Sequence, residues 1–241
     1  MSLNKNQIEK GLEIPVKTVV YNSIDSTNTE AKRLVKSGSE GEMLLIAEEQ
    51  TAGRGRRGKS FYSPKDTGVY MSLVIMAEKP ETAITAAAAV AVCSALERLT
   101  GKELQIKWVN DIYLDGKKIC GILTEVLGSA VIIGIGLNVA TSDFPKSVEN
   151  GGNLGADIPR ETLISEIANG VYKAAKLKPE AFIDYYRSRS MLTGRKIYLI
   201  ENNNKTPAFA EGIGSGGELI VRLENGESRI VSSGDVTVRE E

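Results

Sequence analysis

The segment from Asp111 to Ala140 constrains the fold most. DIYLDGKKICGILTEV sets Asp115-Gly116 between two runs of alternating apolar residues, and AVIIGIGLNVA follows as a strand apolar but for Asn138. Asp-Gly between such runs specifies a tight hairpin, and a strand without polar alternation is buried on both faces. The segment therefore commits the chain to an antiparallel sheet that needs a cover. The strongest helical run, Glu81 to Leu99 with Gly101 as its stop, supplies one.

Upstream, Lys17–Tyr21, Met43–Ala47 and Gly68–Met76 read as strands, and Thr29–Lys36 as a helix capped by the hydroxyl and amide cluster before it. The Gly, Asn and Pro content from Asp143 to Pro159 marks a long loop, followed by helices at Glu161–Lys176 and Pro179–Arg189. Beyond Gly194, short β runs punctuated by glycine, including Asn225-Gly226, have the pattern of a small β-barrel. The expected organisation is α+β, a mixed or antiparallel sheet with helices packed on it over residues 1–192, and a small barrel over 193–241.

Composition narrows the chemistry. The chain of 241 residues has no histidine, which removes Ser-His-Asp and Cys-His nucleophile chemistry, histidine zinc sites and an imidazole base. Lysine and arginine (30) balance aspartate and glutamate (31), so no overall field draws the chain onto nucleic acid or anionic membrane. Cys93 and Cys120 sit in apolar surroundings, as reduced buried thiols do in the cytosol. Neither of the two longest uncharged stretches, Thr82 to Leu96 and Val126 to Ser142, reaches the roughly 20 apolar residues a bilayer needs, and no signal peptide is visible; a cytoplasmic address is expected. Residues 1–16 are polar and too few for a helix-turn-helix.

The GRGRRG run, Gly53–Gly58, fits the dinucleotide pattern G-x-G-x-x-G, but the proline and aromatics that follow lead into a strand, so no helix N-terminus receives a pyrophosphate. Arg54, Arg56, Arg57 and Lys59 concentrate positive charge that an anion would balance. A phosphate-rich ligand, a nucleic-acid patch and a solvated basic turn all satisfy that requirement. In Lys107-Trp108-Val109-Asn110-Asp111, Asp111 is either turn chemistry or a carboxylate for phosphate-bound magnesium. Lys118 faces either solvent or a pocket, and Gly121 is either a bulge or an open wall for a flat ligand. The glycines and amide of Gly134-Ile135-Gly136-Leu137-Asn138 suit a bend or a backbone surface for a ligand.

In order, Ser26-Thr27-Asn28, GRGRRG, KWVND, KKICGIL (117–123) and GIGLN (134–138) resemble the catalytic core of the biotin-protein ligases, from about residue 17 to the C-terminus. Val109 and Phe61 depart from the proline and tryptophan usual there. The resemblance implies a class II aminoacyl-tRNA synthetase-like core with an SH3-like C-terminal barrel. It implies that biotin and ATP give biotinyl-5′-adenylate, which a lysine of a biotin carboxyl carrier domain then attacks. By motif position, Ser26, Thr27, Asn28 and Gln50 would bind the ureido ring, with Arg54, Gly55, Arg56 and Gly121 around biotin and its phosphoryl end. Lys118, with Arg54, would be catalytic, Asp111 would hold Mg2+, and Arg57, Lys59, Phe61, Asn138 and Arg239 would serve ATP. The loop would be mobile when empty and ordered over the adenylate. No nucleic acid, membrane or repressor function is expected, and open sheet edges suit a homodimer. A lipoate-type ligase, a nucleic-acid-binding module and a non-catalytic biotin-binding scaffold are the alternatives.

Overall fold

The protein is described by a computed structural model covering residues 2–76, 83–148, 150–201, 204–232 and 234–238. Its first sheet has seven strands: β1 (Lys17–Tyr21), β2 (Met43–Ala47), β3 (Gly68–Met76), β4 (Gln105–Lys107), β5 (Asp111–Leu114), β6 (Lys117–Leu127) and β7 (Ala130–Asn138). Their order is β1-β2-β3-β7-β6-β5-β4, with β1 and β2 parallel and every other pair antiparallel. The first three strands have the expected limits. The β5–β6 turn places Asp115 and Gly116 at φ 50° and 75°, the left-handed pair that a two-residue hairpin turn requires.

Strand period two sorts side chains onto the two faces of this sheet. Leu44, Ile46, Val69, Met71, Leu73, Ile75, Ile133 and Ile135 join the main core, covered by α3 (Ile84–Thr100) and α4 (Arg160–Ala174). Met43, Leu45, Val74, Ala130 and Ile132 face the other way, under α2 (Thr27–Lys36), packed with its Ala31. Gly101 ends α3 in the left-handed conformation, φ 68°, as its place in the sequence predicts.

Several boundaries differ from expectation: α3 is described from Ile84 to Thr100 rather than from Glu81 to Leu99, Glu81 and Thr82 lying outside the described residues, and α4 runs from Arg160 to Ala174 rather than from Glu161 to Lys176. Ser26 is the N-cap of α2, so the helix begins at Thr27 rather than Thr29. The polar N-terminal residues contain α1 (Lys5–Gly11), capped by the Asn4 side chain and docked on α4 through fully buried Ile8. The expected helix at Pro179–Arg189 is a 3-10 turn, Pro179–Ala181, followed by α5 (Ile183–Ser188).

A second, five-stranded antiparallel sheet follows: β8 (Lys196–Glu201), β9 (Asn204–Ile213), β10 (Leu219–Leu223), β11 (Ser228–Val231) and β12 (Asp235–Val238), in the order β11-β10-β9-β8-β12. Buried Trp108 donates its indole N–H to Gly217 O at 2.9 Å, and Arg187 Nε donates to Ile213 O at 3.0 Å, tying this sheet to the first body. Arg160, 11% exposed, pairs at 2.9 Å with Glu48, 2% exposed, whose other oxygen accepts the Leu3 N–H, so a buried carboxylate pins the N-terminal segment. Both cysteines are buried and unbridged; burial pushes the Cys93 thiol up to about 12. Among the described residues no helix is long and apolar enough to cross a membrane.

Candidate functional site

The α2-facing side of the first sheet runs short of side chains along the positions that continue its small apolar layer. Ala130 and Ile132 are followed on β7 by Gly134 and Gly136, while β6 contributes Gly121, Leu123 and Glu125. The space left by the missing side chains is a cleft of about 130 Å³, walled by the start of α2 on one side and the loop from Gln50 to Phe61 on the other. A Cβ on Gly134 would lie 2.1 Å from Asn28 Oδ1, and one on Gly136 2.5 Å from the Phe61 ring, so both glycines are required by close approach.

Ser26, Thr27, Asn28, Gln50, Arg54, Gly55, Arg56, Lys59, Phe61, Asp111, Lys118 and Gly121 all line this cleft. Residues from five separated segments thus converge on one cavity. Asn138 lies outside it, in an adjoining cavity lined also by Tyr62, Tyr113, Phe144 and Asn150. The two cavities share Ser60, Phe61 and Lys118. Arg57 lies away from both and donates to Ile200 O of β8 at 3.0 Å. Arg239 falls outside the described residues.

At the α2 end the polar groups form a closed network. Gln50 Oε1 accepts the Thr27 N–H at 2.9 Å and lies 3.2 Å from Thr27 Oγ1; Gln50 Nε2 donates to Ser63 Oγ at 2.9 Å. Asn28 Nδ2 donates to Leu123 O at 3.2 Å and to Glu125 Oε2 at 3.0 Å. Both Asn28 amide hydrogens are therefore spent inside the protein, while the residue itself lines the cleft. Lys32 pairs with Glu125 at 2.6 Å and Arg54 at 3.3 Å. Burial opposes ionisation of Glu125, but the hydrogen bonds from Lys32 and Asn28 and the charge of Arg54 outweigh it and hold the carboxyl below its usual range.

The arginine loop carries protein partners of its own. Arg54 meets Glu125, Arg56 donates to Asn110 Oδ1 at 3.2 Å, and Arg57 reaches Ile200 O. A 3-10 turn, Arg56–Gly58, closes it, with Gly55 N–H donating to Lys59 O at 2.7 Å. At the far wall Lys118 Nζ lies 2.7 Å from Asp111 Oδ1, an ion pair without hydrogen-bond alignment, since that buried oxygen has no hydrogen-bond partner. Asn138 donates to Gly152 O at 3.0 Å, and its buried Oδ1 has no partner.

Chemically, the cleft joins a polar end rich in acceptors to a cationic wall of Arg54, Arg56, Lys59 and Lys118, the arrangement that receives a polar ring at one end and an anion at the other. Asp111 is the single carboxylate among its lining residues, and no group of three His, Cys, Asp or Glu side chains able to hold a metal occurs among the described residues. One carboxylate fits magnesium carried mainly by phosphate oxygens and water, and does not fit a protein cage. Sequence reasoning missed Ser72, Glu125, Asn110 and Ser63. A lone serine inside the apolar run GVYMSLVIM was the available signal for the first; the others owe their importance to contacts across the fold.

The sequence profile of the biotin/lipoate A/B protein ligase family matches residues 20–139. The chain is 32% identical over 223 residues to the biotin–[acetyl-CoA-carboxylase] ligase of Paracoccus denitrificans, covering 82% of this chain and 91% of that protein. It is 37% identical over 161 residues to the bifunctional ligase/repressor of Bacillus subtilis, covering 61% of this chain but only 50% of the relative, so it spans half the length of that protein. The fold is that of the Aquifex aeolicus biotin protein ligase solved with biotin and ATP, at TM-score 0.79 and 24% identity, covering 93% of this chain and 99% of the other. The extent of the Paracoccus match, together with the profile, establishes that this chain belongs to the biotin/lipoate A/B protein ligase family.

Proposed function

We propose that the protein is an ATP-dependent ligase that activates biotin as biotinyl-5′-AMP and transfers the biotinyl group to a lysine of a biotin carboxyl carrier domain. The observation that carries this reading is the convergence of Ser26, Thr27, Gln50, Arg54, Arg56 and Lys118 on one cleft with a polar end and a cationic wall. Relatives named as biotin ligases and a structural neighbour holding biotin and ATP support it.

In this reading the ureido ring sits against Ser26, Thr27 and Gln50, which Asn28 braces from behind, and Gly55 and Gly121 provide backbone walls. The carboxylate points toward Arg54, Arg56 and Lys118. A carboxylate oxygen attacks the α-phosphorus, the bond to the β-phosphate oxygen breaks, and its electron pair leaves with pyrophosphate. Both reactants are anions, so fixed cations lower the barrier by neutralising charge, and no proton need move. Lys118, a compact point charge between the two cavities, is placed to serve both the carboxylate and the α-phosphate. The carrier's neutral ε-amine then attacks the carbonyl carbon, the amide forms, AMP departs with the electron pair of the anhydride bond, and the amine proton passes to water.

The adjoining cavity, with Phe61, Asn138 and the long loop, suits the nucleotide base. Lys59 is placed for the phosphates. Arg57 is read as holding the loop to the second sheet, replacing the direct nucleotide contact expected for it. Asp111 is the residue that would hold Mg2+, which when bound offsets phosphate charge. A division near Leu192 into a catalytic body and a C-terminal barrel belongs to the same reading, supported by separate sheets that end at Asn138 and begin at Lys196. The cleft draws on one chain, and neither nucleic acid nor membrane takes part in the reaction.

Incubation with biotin, labelled ATP and a carrier domain tests the proposal by mass spectrometry. The expected result is a carrier heavier by one biotinyl group; an unmodified carrier together with no biotin-dependent pyrophosphate release refutes it.

A further inference from the structure

Ser72 lies on β3, is fully buried and does not line the cleft, yet its hydroxyl is 2.6 Å from Asn28 Oδ1 and 2.7 Å from Thr27 Oγ1. Counting protons decides the direction of both contacts. Asn28 Nδ2 faces a carbonyl and a carboxylate, Leu123 O and Glu125, neither of which donates, so the opposite end of the amide is the oxygen, which only accepts. Ser72 has one hydroxyl proton, and it goes to Asn28. The 2.7 Å contact is therefore a bond in which Thr27 O–H donates to Ser72 Oγ, in preference to the other acceptor within its reach, Gln50 Oε1 at 3.2 Å.

That commits Thr27. With its proton turned inward, Thr27 offers the cleft lone pairs alone, and the neighbouring Gln50 Oε1 is likewise an acceptor, held by the Thr27 N–H. Gln50 cannot turn its amide round at no cost: Ser63 Oγ donates to Phe61 O at 3.1 Å and so needs the Gln50 N–H as its own donor. The polar end of the cleft thus presents a pair of acceptor oxygens about 3.2 Å apart, whose polarity is set from behind.

We propose that Ser72 is a positioning residue that determines ligand specificity: by accepting the Thr27 proton it makes this subsite demand N–H groups, as a cyclic urea has, and reject ring oxygen. The inference deepens the ligase reading and rests on it. A ligand with oxygen in place of one ring N–H would set lone pair against lone pair in a buried site, which binding sites built for an N–H discriminate strongly.

The test is calorimetry of the full chain with biotin and with the two cyclic carbamate analogues in which one ureido N–H is replaced by oxygen. Wild type is expected to prefer biotin by about a hundredfold or more over the analogue altered at the Thr27 contact. In Ser72→Ala the Thr27 hydroxyl loses its inward acceptor and can turn to a ligand oxygen, giving up only the longer contact with Gln50 Oε1; biotin affinity falls about tenfold and the preference shrinks at least about tenfold. In a Thr27→Val background Ser72→Ala has no further effect on the preference. A merely structural role would weaken all ligands in parallel, and an unchanged preference overturns the proposal. Wild type that binds no biotin removes the ligase reading, and this inference with it. If Ser72→Ala does not fold, Ser72→Cys, with a single but weakly hydrogen-bonding γ atom, carries the same comparison.

Discussion

Replacing Lys118 with alanine removes the one ammonium placed at the junction of the two cavities and leaves Asp111, now 2.7 Å from its nitrogen, as an uncompensated carboxylate facing two anionic reactants. A unit charge about 4 Å from a phosphate or carboxylate oxygen, at an effective dielectric of about 20, contributes about 4 kcal/mol. Lys118 is 32% exposed, so solvent screening reduces this. About 3 kcal/mol remains, which is a loss of roughly two orders of magnitude in the adenylation rate. Biotin-dependent exchange of label between pyrophosphate and ATP measures that step without the carrier. Because the charge acts most where negative charge is brought together, the loss should fall on kcat, with biotin affinity by calorimetry changing less than about fivefold. Lys118→Arg keeps the charge but spreads it over a planar fork and should recover part of the rate. Exchange in Lys118→Ala within tenfold of wild type would refute the assignment, and so would a loss expressed entirely in biotin affinity.

The structure makes further predictions. Arg160→Ala strands the Glu48 carboxylate in the interior and should destabilise the fold by about 3–5 kcal/mol in urea unfolding, whereas replacing exposed Arg98 should change stability by less than about 1 kcal/mol. Glu125 has a folded-state pKa lowered from 4.5, so its contribution to stability is complete above that value and is lost as the pH falls through the lower one; the acid limb of a stability profile should be shallower in Glu125→Gln. Gly134→Ala drives a Cβ into Asn28 Oδ1, and should cost about 1–3 kcal/mol in thermal unfolding together with a loss of biotin affinity. Amide exchange across residues 53–60 should slow on adding biotin and ATP as Arg54 trades Glu125 for ligand; unchanged protection would count against that exchange of partners.

Much of the architecture was legible because it is local. Short apolar runs rich in β-branched and other strand-forming residues located β1, β2 and β3, the Asp115-Gly116 pair needs left-handed backbone that few residues tolerate, and Gly101 stops a helix for the same reason. α1 escaped because its only fully buried side chain is Ile8 and its stability comes from docking on α4, a contact no periodicity reveals. The site was legible as a set of polar and glycine-rich segments, and their resemblance to a family put them in one place.

The sequence by itself determined which charged, polar and glycine residues were available to a site and, through the absence of histidine, that no imidazole proton transfer takes part in whatever chemistry occurs there. Only the tertiary structure decided which of those groups face the cleft and which stand behind it. Asn28 and Glu125 are 97 residues apart and Asn28 and Ser72 are 44 apart, and they meet because β3, β7 and β6 are neighbours in that order. The order places Ser72 and Glu125 on the α2 face, where each hydrogen-bonding group must find a partner once water is excluded. The direction of every proton at the subsite follows from that requirement.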